Sequence, residues 1–214
     1  MNVWHSLWAL PAAVIVAGTV ALASPDNRTL QNLHGDVRYS TADGAPAQSL
    51  APRALTVLND DDVAQTGSAS MAAITFADSS QILMGSNSTL KLDTFSIAEI
   101  AHAHVVLFDG KMRFKVQHPA GARADYTFTT PTGQIAVRGT VGDIAADPVD
   151  GVRMNVYSVS DPDLPVHVTM LDGSQYDIRA GEKIWMRWTS GKLVAKVTPI
   201  TTAEIQRFEE LGPP

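Results

Sequence analysis

Few residues of this 214-residue sequence have the type and spacing to do chemistry, and they do not form a set. His102 and His104 stand two apart, which on a strand puts both imidazoles on one face, a spacing able to hold a metal. No third histidine accompanies them, so they read as half-exposed polar residues on a strand edge or rim. His118 and His167 read as loop and strand surface positions. Asn59-Asp60-Asp61-Asp62 gathers four oxygen donors but lacks the Asp-x-Asp-x-Asp-Gly spacing that wraps calcium. It reads as a solvated turn that keeps strand edges from pairing elsewhere. Trp185 and Trp188 fall on opposite sides of a strand, so one can be core and the other an exposed plate for a sugar ring. There is no Gly-x-Ser-x-Gly elbow, phosphate loop, Gly-x-Gly-x-x-Gly run or His-Glu-x-x-His pair. The expectation is a non-enzymatic chain with no catalytic residues, no cofactor and no metal.

The most distinctive segment runs from Thr127 to Thr140. Pro131-Thr132-Gly133 is a turn between two strand-like runs, and Arg138-Gly139 interrupts the second. A glycine there allows a bulge or a close backbone approach, leaving Arg138 to fork onto carbonyls or a carboxylate. Arg138, Gly139, Thr140, Trp185 and Trp188 are therefore the candidate binding or motif residues.

Tight turns must position these residues. Asp43-Gly44, Asp109-Gly110, Asp150-Gly151, Asp172-Gly173, Ala180-Gly181 and Ser190-Gly191 recur between short runs rich in Val, Ile, Thr, Phe and Tyr. This predicts an all-β fold: an antiparallel sandwich-like or short solenoid-like domain with many tight turns, plus a short C-terminal helix. In Lys111-Met112-Arg113-Phe114-Lys115-Val116 the apolar residues point one way and three bases the other, so the basic face is expected to be solvated. The turn–strand–turn units starting at Asp78 and Asp172 resemble each other, which suggests a repeated hairpin or shared turn chemistry. Thr201-Thr202-Ala203-Glu204 is a capping box, and Ile205, Phe208 and Leu211 form the stripe that helix would bury.

Residues 7–23 carry no charge, and Ala21-Leu22-Ala23 has the small-x-small pattern of signal cleavage. The expected organisation is a signal peptide at 1–23, a β domain at 24–198 and a helical tail at 199–214. An uncleaved anchor, holding the protein to the inner membrane, is the alternative, because residues 1–6 lack Lys and Arg. The expected location is periplasmic or extracellular, with no membrane span after signal cleavage. With 0 cysteines, disulfides and thiolate chemistry are excluded. A net charge of −6 with scattered bases argues against nucleic acid as a partner.

These residues resemble the FecR domain, a periplasmic sensing module, from about Gly35 to about Trp188. The pieces occur in family order: Gly35-Asp36-Val37, then Asp61-Asp62 through Thr66-Gly67 to Ser70, then Phe76-Ala77-Asp78-Ser79-Ser80 with Asn87-Ser88-Thr89-Leu90. Gly110-Lys111-Met112-Arg113-Phe114 and Phe128-Thr129-Thr130-Pro131 follow, and Arg138-Gly139-Thr140 matches the family's Arg-Gly-Thr signature. The resemblance implies a binding or sensing module that docks to a protein partner in the cell envelope. Members of the iron-signalling branch add a sigma-factor-gripping region before the membrane helix and a further subdomain after this one. Neither has a counterpart in this sequence, so direct sigma-factor control is not expected. The alternative is an envelope scaffold that binds glycan or peptidoglycan through Trp185 or Trp188.

Overall fold

A computed structural model describes residues 27–97, 100–117 and 124–214. The signal-peptide and anchor readings, and His118, lie outside the described residues. The first strands are β1 (Arg28–His34), β2 (Val37–Ser40), β3 (Gln48–Leu50), β4 (Leu55–Leu58), β5 (Val63–Thr66), β6 (Met71–Phe76), β7 (Gln81–Met84) and β8 (Thr89–Ile97). They are followed by β9 (Ala101–Lys115), β10 (Ala124–Thr130), β11 (Gly133–Val137), β12 (Thr140–Asp147) and β13 (Gly151–Val159). The chain continues through β14 (Val166–Met170), β15 (Gln175–Ile178), β16 (Glu182–Thr189) and β17 (Lys192–Pro199). Helix α1 (Thr202–Gln206) and a 3-10 turn (Glu209–Leu211) end it. The all-β expectation and the short C-terminal helix both hold.

Strand pairing builds two layers. The first sheet runs β4-β1-β6-β7-β9-β12-β13-β16-β17. The second runs β3-β2-β5-β8-β9-β10-β11-β14-β15. Among the described residues every pair is antiparallel except β9–β10. The long strand β9 belongs to both: its first half pairs with β8 and β10, its last residues with β7 and β12. Gly110 makes the change of sheet possible. Its φ is +91°, and a Cβ there would lie against Ser88 and within 2.6 Å of the Asn87 carbonyl oxygen.

From β10 onward the chain adds a hairpin to each sheet in turn, β10–β11, β12–β13, β14–β15 and β16–β17. Alternating residues fill the space between layers, as in the buried–intermediate alternation of Ala124–Thr130. Aromatic rings bridge the sheets: Phe76 with Phe95 (5.0 Å) and Tyr126 (5.4 Å), and Phe114 with Phe128 (4.8 Å).

The two similar hairpins share one turn. At β6–β7 the Phe76 and Ser79 amides donate to Ser80 and Phe76 carbonyls, and the Asp78 carboxylate accepts from the Ser80 amide. At β14–β15 the Met170 and Gly173 amides donate to Ser174 and Met170 carbonyls, and Asp172 accepts from the Ser174 amide. One hairpin lies in the first sheet and the other in the second, so turn chemistry is repeated without a repeated place in the fold.

Two expectations need correction. The basic face of β9 is not solvated as a whole. Arg113 is buried on Asp143, at 2.6 and 2.9 Å through Nε and Nη2. Its Nη1 donates to the Gly212 carbonyl of the C-terminal tail. Pairing and a covering segment make that burial possible, which strand alternation cannot register. The helix starts where the capping box places it, but Thr201 makes no side-chain cap. Glu204 instead turns inward to Lys183 (2.8 Å), and Ile205 is exposed while Phe208 and Leu211 are buried.

Candidate functional site

The residues that carry the FecR resemblance are mostly hydrogen-bonded staples. Thr66 is buried; its hydroxyl donates to the Gly85 carbonyl (2.6 Å) and accepts from the Ser88 amide (2.9 Å). Ser88 is buried as well; its hydroxyl accepts from the Lys111 amide (2.9 Å) and lies 3.0 Å from the Lys111 carbonyl. Ser70 accepts from the Asp36 amide and donates to the Ser68 carbonyl, tying the opening of β2 to the turn after β5. Each hydroxyl satisfies backbone groups that a turn would otherwise leave buried and unpaired.

Arg138-Gly139-Thr140 divides between the two roles. Gly139, at φ +54°, presents its carbonyl to the Ser160 amide (2.7 Å). Thr140 is buried, its hydroxyl on the Arg138 carbonyl (3.1 Å) and its own carbonyl on the Val116 amide (2.9 Å). Arg138 projects outward instead. Its Nε donates to Asp125, and the side chain remains 48% exposed. Its carboxylate partner is Asp125, met through Nε at the surface.

Arg138 borders a cleft of about 230 Å³ on the outer face of the second sheet. Asp125 and Thr127 from β10, Ala136 from β11, His167 from β14, and Leu164 and Pro165 from the preceding loop complete it. Ala136 pairs with His167 across β11–β14, so the small residue leaves a shallow floor between larger neighbours. His167 is held through Nδ1 by Asp177 (2.6 Å). A guanidinium, an imidazole and a carboxylate beside Leu164 and Pro165 suit a ligand with polar and aliphatic parts, such as a peptide segment. Sequence spacing alone does not join Leu164, Pro165 and His167 to Arg138, because the β11–β14 pairing that brings them together skips a hairpin.

The other candidates fall elsewhere. His102 and His104 do share a face, but His104 is occupied by Asp93 (2.7 Å) and Thr129 (2.7 Å). Lys91 and His104 together hold the Asp93 carboxyl below the usual carboxylate range, Lys91 contributing most. Among the described residues no group of three His, Cys, Asp or Glu side chains could hold a metal. The acidic run is not simply a solvated turn: Asp62 is buried and caps the Asn59 and Ala42 amides, Asp60 pairs with Arg28, and Asp61 with Lys91.

Neither tryptophan is core. Trp185 is half-buried on the outer face of the first sheet, between Arg153 (4.8 Å) and Arg187 (4.2 Å), with its indole N–H on the Asp150 carbonyl. Trp188 is 55% exposed and pairs with Leu193 near the end of the β16–β17 hairpin.

Comparison with known proteins agrees with this architecture. Two crystal structures of candidate anti-sigma factors from Parabacteroides distasonis ATCC 8503 share the fold. One is 16% identical over 70% of this chain and 64% of its own, with a TM-score of 0.53. The other is 17% identical over 63% of this chain and 58% of its own, with a TM-score of 0.50. The chain thus spans less than two thirds of either. No curated protein matches it. Residues 62–160 match the model of the FecR protein family, a range that holds Thr66, Ser88 and the Arg-Gly-Thr signature.

Proposed function

We propose that this chain is an exported, non-catalytic FecR-type module that docks to a protein partner in the cell envelope and serves signalling or regulation. The observation that carries the reading is the division of labour within the family motif. Thr66, Ser70, Ser88, Gly139 and Thr140 serve backbone groups, whereas Arg138 directs its charge to a cleft on the sheet surface. The FecR match and the anti-sigma descriptions of the two structural neighbours fit a regulatory role. Among the described residues no helix is long and apolar enough to cross a membrane.

The test uses tagged protein carrying a photo-crosslinker at His167, expressed in cells and analysed after fractionation. The expected result is a cross-link to one envelope protein, lost on Arg138→Ala with the β spectrum unchanged. A cytoplasmic protein, or no dependence on Arg138, would refute it. A second reading, an envelope scaffold that binds glycan, is favoured by the exposure of Trp188. Co-sedimentation with peptidoglycan, abolished by Trp188→Ala in a folded protein, would support that reading instead.

A further inference from the structure

The cleft beside Arg138 holds two polar groups with capacity that the fold leaves free. Arg138 gives its Nε to Asp125, and among the described residues no hydrogen bond engages either Nη group. Asp125 adjoins Tyr126, the register partner of Val137, so it meets the arginine from across the β10–β11 hairpin and occupies the Nε edge. An incoming carboxylate therefore meets the guanidinium on a different edge, where two parallel N–H donors match its two oxygens. His167 is the second group. Its Nδ1 lies 2.6 Å from Asp177, a carboxylate that draws the ring proton to Nδ1. In the neutral ring Nε2 is then an acceptor, and no described residue donates to it.

Strand register sets the spacing of these donors and this acceptor. His167 is directly opposite Ala136 in the β11–β14 pair, and Arg138 lies two residues beyond Ala136. Such diagonal positions are about 7–8 Å apart, the reach of roughly two extended residues. The methyl of Ala136 keeps the floor low between them, and Leu164 and Pro165 give the cleft an apolar wall. At about 230 Å³ the space is smaller than the roughly 300–1,000 Å³ of sites for drug-sized ligands. An anion, a peptide N–H and a small apolar group within two residues of one another are what the end of a polypeptide chain presents.

We propose that this cleft captures the free carboxyl terminus of a partner protein: the Nη groups of Arg138 take the terminal carboxylate, His167 Nε2 accepts the last peptide N–H, and Leu164 and Pro165 pack on a small aliphatic final side chain. The inference rests on the docking reading and narrows it to a chain end. A cross-link at His167 tests docking, whereas a comparison of peptide termini tests the chain end, so a partner that docks by an internal surface leaves the first result standing and overturns the second.

The probes are fluorescein-labelled pools of short peptides with alanine, valine, leucine or isoleucine at the last two positions, one pool with free carboxyl termini and its twin amidated, titrated by anisotropy against the purified protein. The free-acid pool is expected to bind about tenfold to a hundredfold more tightly than the amidated pool. Arg138→Gln, at a surface position, is expected to abolish that preference. Replacing the last amide by an ester is expected to weaken binding to wild type and to make no difference to His167→Phe. Equal binding of the free-acid and amidated pools, or binding of neither, overturns the proposal, as does an undiminished preference in Arg138→Gln with the β spectrum intact. An ester that binds wild type as well as the amide does overturns the role of His167. An amidated pool with an internal aspartate that binds as well as the free acids assigns the cleft to an internal acidic segment and overturns the chain-end reading. Preference for a D-alanyl-D-alanine terminus over these L-residues assigns it to wall peptide and overturns the protein partner.

Discussion

Arg113 and Arg138 are each paired with an aspartate on a neighbouring strand, and the difference between their surroundings sets a quantitative expectation. The Arg113 side chain is 7% exposed and that of Asp143 0%, against 48% and 32% for Arg138 and Asp125. Arg113→Ala leaves a buried carboxylate whose remaining partner is the Tyr157 hydroxyl (2.5 Å). Breaking a buried pair from one side costs about 3–5 kcal/mol, whereas an exposed pair contributes about 0–1 kcal/mol. For a chain of this size the first loss lowers the melting temperature by about 6–20 °C. In urea it moves the midpoint down by about 1–3 M, followed by tryptophan fluorescence. Arg138→Ala should move it by less than about 0.5 M. The double variant Arg113→Met/Asp143→Leu should recover most of the loss, because it removes the stranded charge along with its partner. If Arg113→Ala and Arg138→Ala shift the midpoint equally, burial is not what separates the two pairs. The assignment of Arg138 to a surface site would then fall.

Three further expectations follow from the geometry. Gly110→Ala forces a Cβ against Ser88 at a left-handed φ where β9 changes sheets; it should cost more than about 3 kcal/mol or prevent folding, read by denaturation of purified protein. Tyr157 is pushed up to about 12, first by burial and then by its hydrogen bond to Asp143, so the folded state holds its proton more tightly than the unfolded state does. Stability is then complete below pH 10 and falls as pH rises from 10 towards 12; tyrosinate absorbance and melting should show this slope, reduced in Tyr157→Phe. Trp185→Ala removes the plate between Arg153 and Arg187 and the bond to Asp150; it should lower stability by about 1–3 kcal/mol, while Trp188→Ala, exposed, should stay within about 0.5 kcal/mol.

Local signals made the strands legible. The Asp78 and Asp172 turns could be read because Asx chemistry acts within three residues, and the structure gives both the same bonds. The two-layer order could not be read, because β9–β12 and β11–β14 join strands across intervening hairpins. Arg113 looked solvated because its neighbours Lys111 and Lys115 are bases on the same face; what buries it is Asp143, 30 residues away, and a tail about 100 residues away. The tail misled for a related reason. Glu204 stands where a capping box wants it, but Lys183 and Arg153 attract it more strongly than the Thr201 amide does. The cleft was visible only through Arg138, since Leu164, Pro165 and His167 meet it through tertiary pairing.

The family motif itself points away from most of its own residues as a binding site. A buried hydroxyl that holds two backbone groups, as those of Thr66 and Ser88 do, has its proton committed and is closed off from a ligand that arrives from outside. Such residues specify turns, and the turns specify which outward positions come together. Arg138 is placed by Gly139 and Thr140, whose bonds to Ser160, Val116 and the Arg138 carbonyl fix the backbone just beyond it. A fold built this way can keep its staples while the outward residues around Arg138, here Asp125, Ala136, Leu164 and His167, set which partner is recognised. Under the proposed docking function, specificity would then belong to the face that the motif supports rather than to the motif.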